Sequence, residues 1–255
     1  MNLPSFLSPA GLLGLAFVLV FFGLIIFFAA SGRKQPGRAL RPISAFARLG
    51  RAVGLAVEAG RRLHVSLGSG SLNGLESGSA LVGLTILQRI ARAASISDRP
   101  PVATSGDTPV ALLSQETLRN TYSAIGASGQ YDPLAGQVSG LTPFSYAAGT
   151  LPVIYDQQVS ANVLVGHFGS EVGLIADAGE RSGSLVLAGS DNLPAQAVLY
   201  ATAEEPLIGE ELYASGAYLH AGLMHIASLR AQDVLRWVLV VVILVGAALK
   251  LLGFL

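Results

Sequence analysis

Both ends of this chain are apolar over lengths that cross a bilayer, so only the middle is free to fold in water. Met1 to Gly32 carries no charged residue, and Ala10 to Ala30 is almost wholly Leu, Val, Ile, Phe, Ala and Gly. Trp237 to Leu255 carries a single charge, Lys250. About 20 apolar residues span a hydrocarbon core as a helix. The expectation is a transmembrane helix in residues 1–32, a second in 237–255, and a folded domain between them.

Charge placement gives the spans a direction. A cleaved leader carries basic residues before its apolar stretch, and here nothing before Ala10 is charged. The positive charges follow instead: Arg33, Lys34, Arg38, Arg41, Arg48, Arg51, Arg61 and Arg62, opposed only by Glu58. Basic flanks stay cytoplasmic. Arg230 and Arg236 lie on the domain side of Trp237 and agree with that side. Lys250 is placed to snorkel to the opposite surface. The reading is a two-pass protein of the inner (cytoplasmic) membrane, with both termini outside and the domain in the cytoplasm.

The middle, roughly 200 residues, is long enough to bury a core of its own. Cys is absent, which excludes disulfides and thiolate metal sites. The only lysines are Lys34 and Lys250, beside the spans. The domain therefore has no Schiff-base lysine, no cofactor-aldehyde anchor and no phosphate-loop lysine. Net charge is zero, and nothing global points to nucleic acid. No cofactor and no metal is expected.

Residues 33–63 read as a basic linker, broken by Pro36 and Pro42, and an amphipathic helix from Ile43 to Leu63. Arg41, Arg48, Arg51, Glu58 and Arg62 share one face; Ile43, Phe46, Val53 and Val57 share another. Two readings stay open. In the first, Arg33, Lys34, Arg38, Arg41, Arg48 and Arg51 lie on anionic headgroups, with membrane lipid as partner. In the second, the helix packs on the domain and its basic face is solvated.

From His64 onward, short β-like runs alternate with helical stretches. The runs are His64–Leu67, Pro101–Thr104, Gln137–Leu141, Asn162–Val165 and Leu185–Ala188. Strands alternating with helices argue for βαβ units and a mainly parallel sheet. The fold expected for residues 64–206 is Rossmann-like α/β with four to five strands. Residues 207–236 read as a helical connector in three- and four-residue steps. No proline follows Leu207 before the C-terminus, so this helix is expected to run unbroken into the second span.

Ligands of open α/β sheets bind beyond the carboxyl ends of the strands. Here those ends supply Gly68, Ser69, Gly70, Ser105, Gly106, Gly166, Gly169, Ser170, Gly189 and Ser190 as candidate binding residues. Small residues permit close backbone approach, and helix N-termini attract anions. Gly68, Gly70 and Gly74 miss the dinucleotide spacing by one, and the next strand-end acid, Asp107, lies well past the usual offset of about 20 residues. The same residue types end strands and cap helices without any ligand. His167, between glycines at a strand end, is a candidate acid–base group with Asp107 or Glu171, and Asp191 stands at the next strand end. His220 and His225 are wrongly spaced for a zinc pair on one helical face. Glu204, Glu205, Glu210 and Glu211 around Pro206 read as a helix cap and a solvated start.

Several stretches carry a resemblance: His64–Gly70, Asp98–Val102, Ala161–Glu171, Leu207–Leu212 and Gln232–Trp237. Across roughly residues 60–250 the chain resembles an uncharacterised family of bacterial membrane proteins, a domain of unknown function. The resemblance implies this same two-span architecture and assigns no catalytic residue.

Three functions follow as expectations. The first is a scaffold: cytoplasmic α/β domains packed as a homo-oligomeric ring or array, with Gly11, Gly14, Gly23 and Gly246 permitting close helix contact. The second is a membrane-tethered sensor of a small anionic ligand at the strand ends. The third is an enzyme using His167. Transport is poorly supported, because neither span holds an acidic residue or an interior charge.

Overall fold

The computed structural model describes residues 8–32, 40–74 and 76–253. Arg33, Lys34 and Arg38 lie outside the described residues. The chain divides into two units: Met1–Leu40 with His220–Leu255, and Arg41–Leu219.

The first unit consists of two helices. α1 (Pro9–Gly32) has 24 residues and α9 (Leu223–Leu251) has 29, and the two pack on one another. At 1.5 Å per residue they extend about 36 and 44 Å, more than the roughly 30 Å of a hydrocarbon core. Both are apolar and unburied over their spanning stretch. Two such helices, one near each terminus, fit a two-pass membrane protein. Among the described residues nothing lies within 4 Å of a Cβ placed on Gly14, Gly23 or Gly246.

The second unit is a doubly wound α/β domain. Its strands are β1 (Arg62–Gly68), β2 (Val102–Ser105), β3 (Gly136–Val138), β4 (Val159–His167), β5 (Leu185–Ser190) and β6 (Glu205–Leu207). They form one sheet in the order 3-2-1-4-5-6, every neighbouring pair parallel. Parallel strands need crossovers, and the helices supply them. On one face lie α2 (Ser44–Glu58), α3 (Ser77–Ala93) and α4 (Thr108–Ala124), over Leu63, Val65, Leu67, Ala103, Val163 and Val165. On the other lie α5 (Pro143–Asp156), α6 (Val172–Arg181) and α7 (Leu193–Thr202), over Leu164, Val186 and Ala188. With both faces covered, the strands are buried along nearly their whole length.

Three departures from the sequence reading have physical reasons. β6 is a sixth strand. Glu205-Pro206-Leu207 reads locally as a helix start, yet proline is tolerated in a strand at a sheet edge, and Pro206 pairs with Ala188 there. The helix expected over Ile43–Leu63 stops at Glu58, because Arg62 and Leu63 are taken into β1. The connector is not one helix: α8 (Glu211–Tyr218) ends, and α9 begins only at Leu223. Between them His220 has φ 56° and Gly222 φ 157°, conformations no α-helix contains. Side-chain periodicity continued across this break and concealed it.

The apolar face of the basic helix packs on the sheet. Phe46, Leu49, Val53 and Ala56, at helical spacing, are buried in the core. Arg48 turns to the domain's own acids: its Nη1 is 2.9 Å from Glu204 and its Nε 2.9 Å from Glu205. Arg41 pairs with Glu211, and Arg51 stands exposed. Glu204, Glu205 and Glu211 therefore hold α2 and its approach in place, a role the local sequence around Pro206 does not reveal.

Candidate functional site

In this strand order the direction of winding reverses between β1 and β4, and the crevice beyond their carboxyl ends is where such sheets bind ligands. Gly68 ends β1 and His167 ends β4, and the two are register partners. The topology thus brings Gly68–Gly70, Ser105–Asp107, Gly166–Glu171 and Ser190–Asp191 to one rim.

Neighbouring strand ends at the rim are tied to one another by backbone hydrogen bonds. Ser69 N–H donates to the carbonyl of His167 at 2.9 Å, and Gly106 N–H to that of Gly68 at 2.8 Å. Gly68 sits at φ 77°, where a Cβ would stand 2.3 Å from the His167 oxygen. Gly166 admits no Cβ either, since Leu67 O would be 2.0 Å away. These glycines let strand ends close on each other, and that use leaves no need of a ligand to explain them. Gly70 is buried against His167. Ser105 Oγ accepts from Asp107 N–H at 3.0 Å, and Ser190 Oγ from Phe168 N–H at 3.2 Å and Asn192 N–H at 3.3 Å. Gly169 N–H donates to Glu171 at 2.8 Å, Gly189 is buried on β5, and Ser170 alone of this set is exposed.

Charge at the rim is negative. Glu76, Asp107 and Glu171 occupy the N-cap positions of α3, α4 and α6, and Asp191 precedes the N-cap of α7. The loops after β1 to β5 contain no Lys or Arg. Carboxylates at helix N-termini satisfy the macrodipole that a phosphate would otherwise satisfy. The arrangement suits an anionic ligand poorly.

His167 does find a carboxylate, and it is Asp191: Nδ1 lies 2.8 Å from its Oδ1. The partners expected from sequence are engaged differently. Glu171 is buried and turned back on Gly169 N–H. Asp107 has a buried Oδ2 with no hydrogen-bond partner among the described residues, while its residue caps α4. The His167 side chain is 34% exposed and that of Asp191 15%. Nδ1–H bonded to a carboxylate leaves Nε2 as the acceptor of a neutral ring, the arrangement of a general base. Tyr213 of α8, unnoticed in the sequence, stands nearby. Burial raises its phenol pKa first, and the negative charge of Asp191 raises it further.

A second polar constellation lies inside the sheet, on the α5–α6 face. His64 is fully buried, with Nδ1 donating to Asn162 Oδ1 and Nε2 accepting from the Thr104 hydroxyl, each at 2.9 Å. Asn162 Nδ2 donates to Ser184 Oγ at 2.6 Å. The Tyr146 hydroxyl bonds Ser66 and accepts from Gly68 N–H at 3.3 Å. Burial lowers His64 to about 4, with the Asn162 bond opposing, and burial raises Tyr146. These bonds brace β1, β2, β4 and α5 to one another. In the sequence their only trace is polar residues at alternate positions of otherwise apolar strands.

Among the described residues no group of three or more His, Asp or Glu is placed to hold a metal ion. No curated protein and no solved structure matches the chain. The match that is found takes in both spans and the whole α/β domain, residues 5–255, and places the chain in the family described as Domain of unknown function (DUF6754).

Proposed function

We propose that this protein is a membrane-anchored scaffold whose α/β domains assemble into a homo-oligomeric ring or array. In this reading the domains lie on the cytoplasmic side of the inner membrane and both termini lie outside. One observation carries it. From Pro133 to Tyr155 the chain has no charged residue, yet this stretch forms the β3 edge of the sheet and exposes Leu134 (78%), Leu141 (74%) and Phe144 (69%). Val138 of β3 and Leu112 of α4 add to it. A monomer's surface mixes charges into its apolar area; a charge-poor surface with large exposed side chains marks an interface. Copies anchored in one bilayer with one topology are related by rotation about the membrane normal or by translation, hence a ring or an array. Strand-end glycines used for close contact between neighbouring strand ends support a structural use of the fold.

Light scattering of the full chain in mild detergent tests this. The expected result is a species of several copies that Phe144→Asp with Leu134→Asp reduces to one. A wild-type monomer at micromolar concentration sinks the reading. For orientation, a tag after Leu255 is expected to be cut by protease added outside spheroplasts; a shielded tag reverses the topology. A second reading, an acid–base or binding site, is favoured by the His167–Asp191 bond. It predicts stabilisation of the full chain by a neutral polar ligand, lost in His167→Ala, and is removed if a broad ligand panel shifts nothing.

A further inference from the structure

The chain comes into the α/β domain at Arg41 and leaves it after Tyr218, and these two points are one place. The Tyr218 hydroxyl donates to the Arg41 carbonyl. Its ring stacks on Phe46 with centroids 5.0 Å apart and planes at 15°. The Arg41 guanidinium pairs with Glu211. Just beyond, Ser44 Oγ donates to Glu205 at 2.9 Å, and Arg48 Nε lies 2.9 Å from the same carboxylate. The residues that lead to the two spans are thus clasped together by α2, β6 and α8.

α8 also reaches the strand-end rim. Leu212, in its first turn, is fully buried, and a Cβ on Gly189 of β5 would stand 3.2 Å from Leu212 Cδ1. Two residues beyond Gly189 is Asp191, the partner of His167. Tyr213 follows Leu212, with its ring 3.4 Å from the Cβ position of Gly78 in α3. Ala214 to Ala217 are buried, so the helix is gripped along its length. Its eight residues extend about 12 Å. Both flanks carry left-handed residues: Gly209 at φ 60° before it, His220 at 56° and Gly222 at 157° after it. Dense packing resists bending within the helix, and its two flanks are where the backbone departs from helical conformation.

We propose that α8 is a transmission lever, coupling the His167–Asp191 pair at the strand ends to the Arg41–Tyr218 clasp where the domain meets its membrane connections. A change of charge or occupancy at Asp191 tilts α8 through β5 and Leu212. The tilt loosens or tightens the Tyr218–Phe46 stack and the Tyr218–Arg41 bond. The coupling is reciprocal, as linkage requires. It does not depend on how many copies assemble.

The test is amide hydrogen exchange on the full chain in detergent. Asp191→Asn keeps the shape of the side chain and removes its charge. It is expected to raise exchange at residues 47–50, the first hydrogen-bonded amides of α2, about tenfold, although they are remote in sequence. Tyr218→Phe, which removes one hydroxyl, is expected to raise exchange across all of α8 and at Asp191–Asn192. Tyr200→Phe, at an exposed tyrosine of α7, is the control and is expected to change neither end. The proposal is overturned if Asp191→Asn and Tyr218→Phe each disturb only their own immediate neighbours. It is equally overturned if Tyr200→Phe reproduces their effects, which would mark a general loosening of the domain.

Discussion

At the scale of single residues, His64 ties folding to pH. In the folded domain its ring is fully buried and held near pKa 4 by desolvation. The unfolded chain takes up the proton near the ordinary value of 6.5. The folded pKa is the lower one, so the unfolded state binds more protons between these values. Stability is therefore full above pH 6.5 and falls as pH drops toward 4. The loss from this one group is roughly 3 kcal/mol. Chemical unfolding of the wild type and of His64→Gln at pH 7 and pH 4.5, followed by near-UV circular dichroism, checks it. The wild type is expected to lose more stability than the variant over that interval. An equal loss in both proteins removes His64 as the cause. The partly exposed histidine, His167, carries the other residue-level question, and its carboxylate is Asp191 because β4 and β5 are neighbours in the sheet.

At the scale of elements, α2 shows how one helix supports two readings until its neighbours are known. Its apolar face is evident from spacing. What covers that face, a bilayer or a sheet, is a question of partners. The answer lies in Glu204 and Glu205, about 150 residues away in the chain, which become neighbours of Arg48 only when β6 joins the sheet edge. Arg48→Ala is expected to cost about 2 kcal/mol, because it leaves the buried Glu205 carboxylate with less compensation while Arg48 itself is half exposed. Arg51→Ala, on the exposed side of the same helix, is expected to change stability by less than about 0.5 kcal/mol. Thermal unfolding of both variants checks the pair, and a larger effect at Arg51 would place the basic face against something other than water. The same dependence on partners hid β6. Three residues with a central proline carry no local strand signal, and only the unpaired edge of β5 gives them a ladder to join.

At the scale of the whole molecule, two apolar spans and an uncharged stretch at the sheet edge make the chain's strongest statements about its surroundings. Hydrophobic transfer is a property of a local run of residues and needs no partner to be read. For that reason the spans and the βαβ alternation expected over residues 64–206 were legible in the amino-acid sequence, though not β6 at its end. Their flanking charges are equally local and carry the proposed orientation. The uncharged stretch from Pro133 to Tyr155 was present in the sequence too, but its meaning depended on exposure, which local pattern does not report. Long-range pairing decided the rest. The order 3-2-1-4-5-6 placed Gly68 beside His167 and set the winding reversal there. That pairing tied the strand ends to one another through their backbones and gave His167 a carboxylate one strand over. It also brought Tyr218 back to Arg41, joining the two segments that lead to the apolar helices. Composition and periodicity act along the chain and determine which elements form. Register and crossover act between segments far apart in sequence, and only the folded sheet determines which side chains meet.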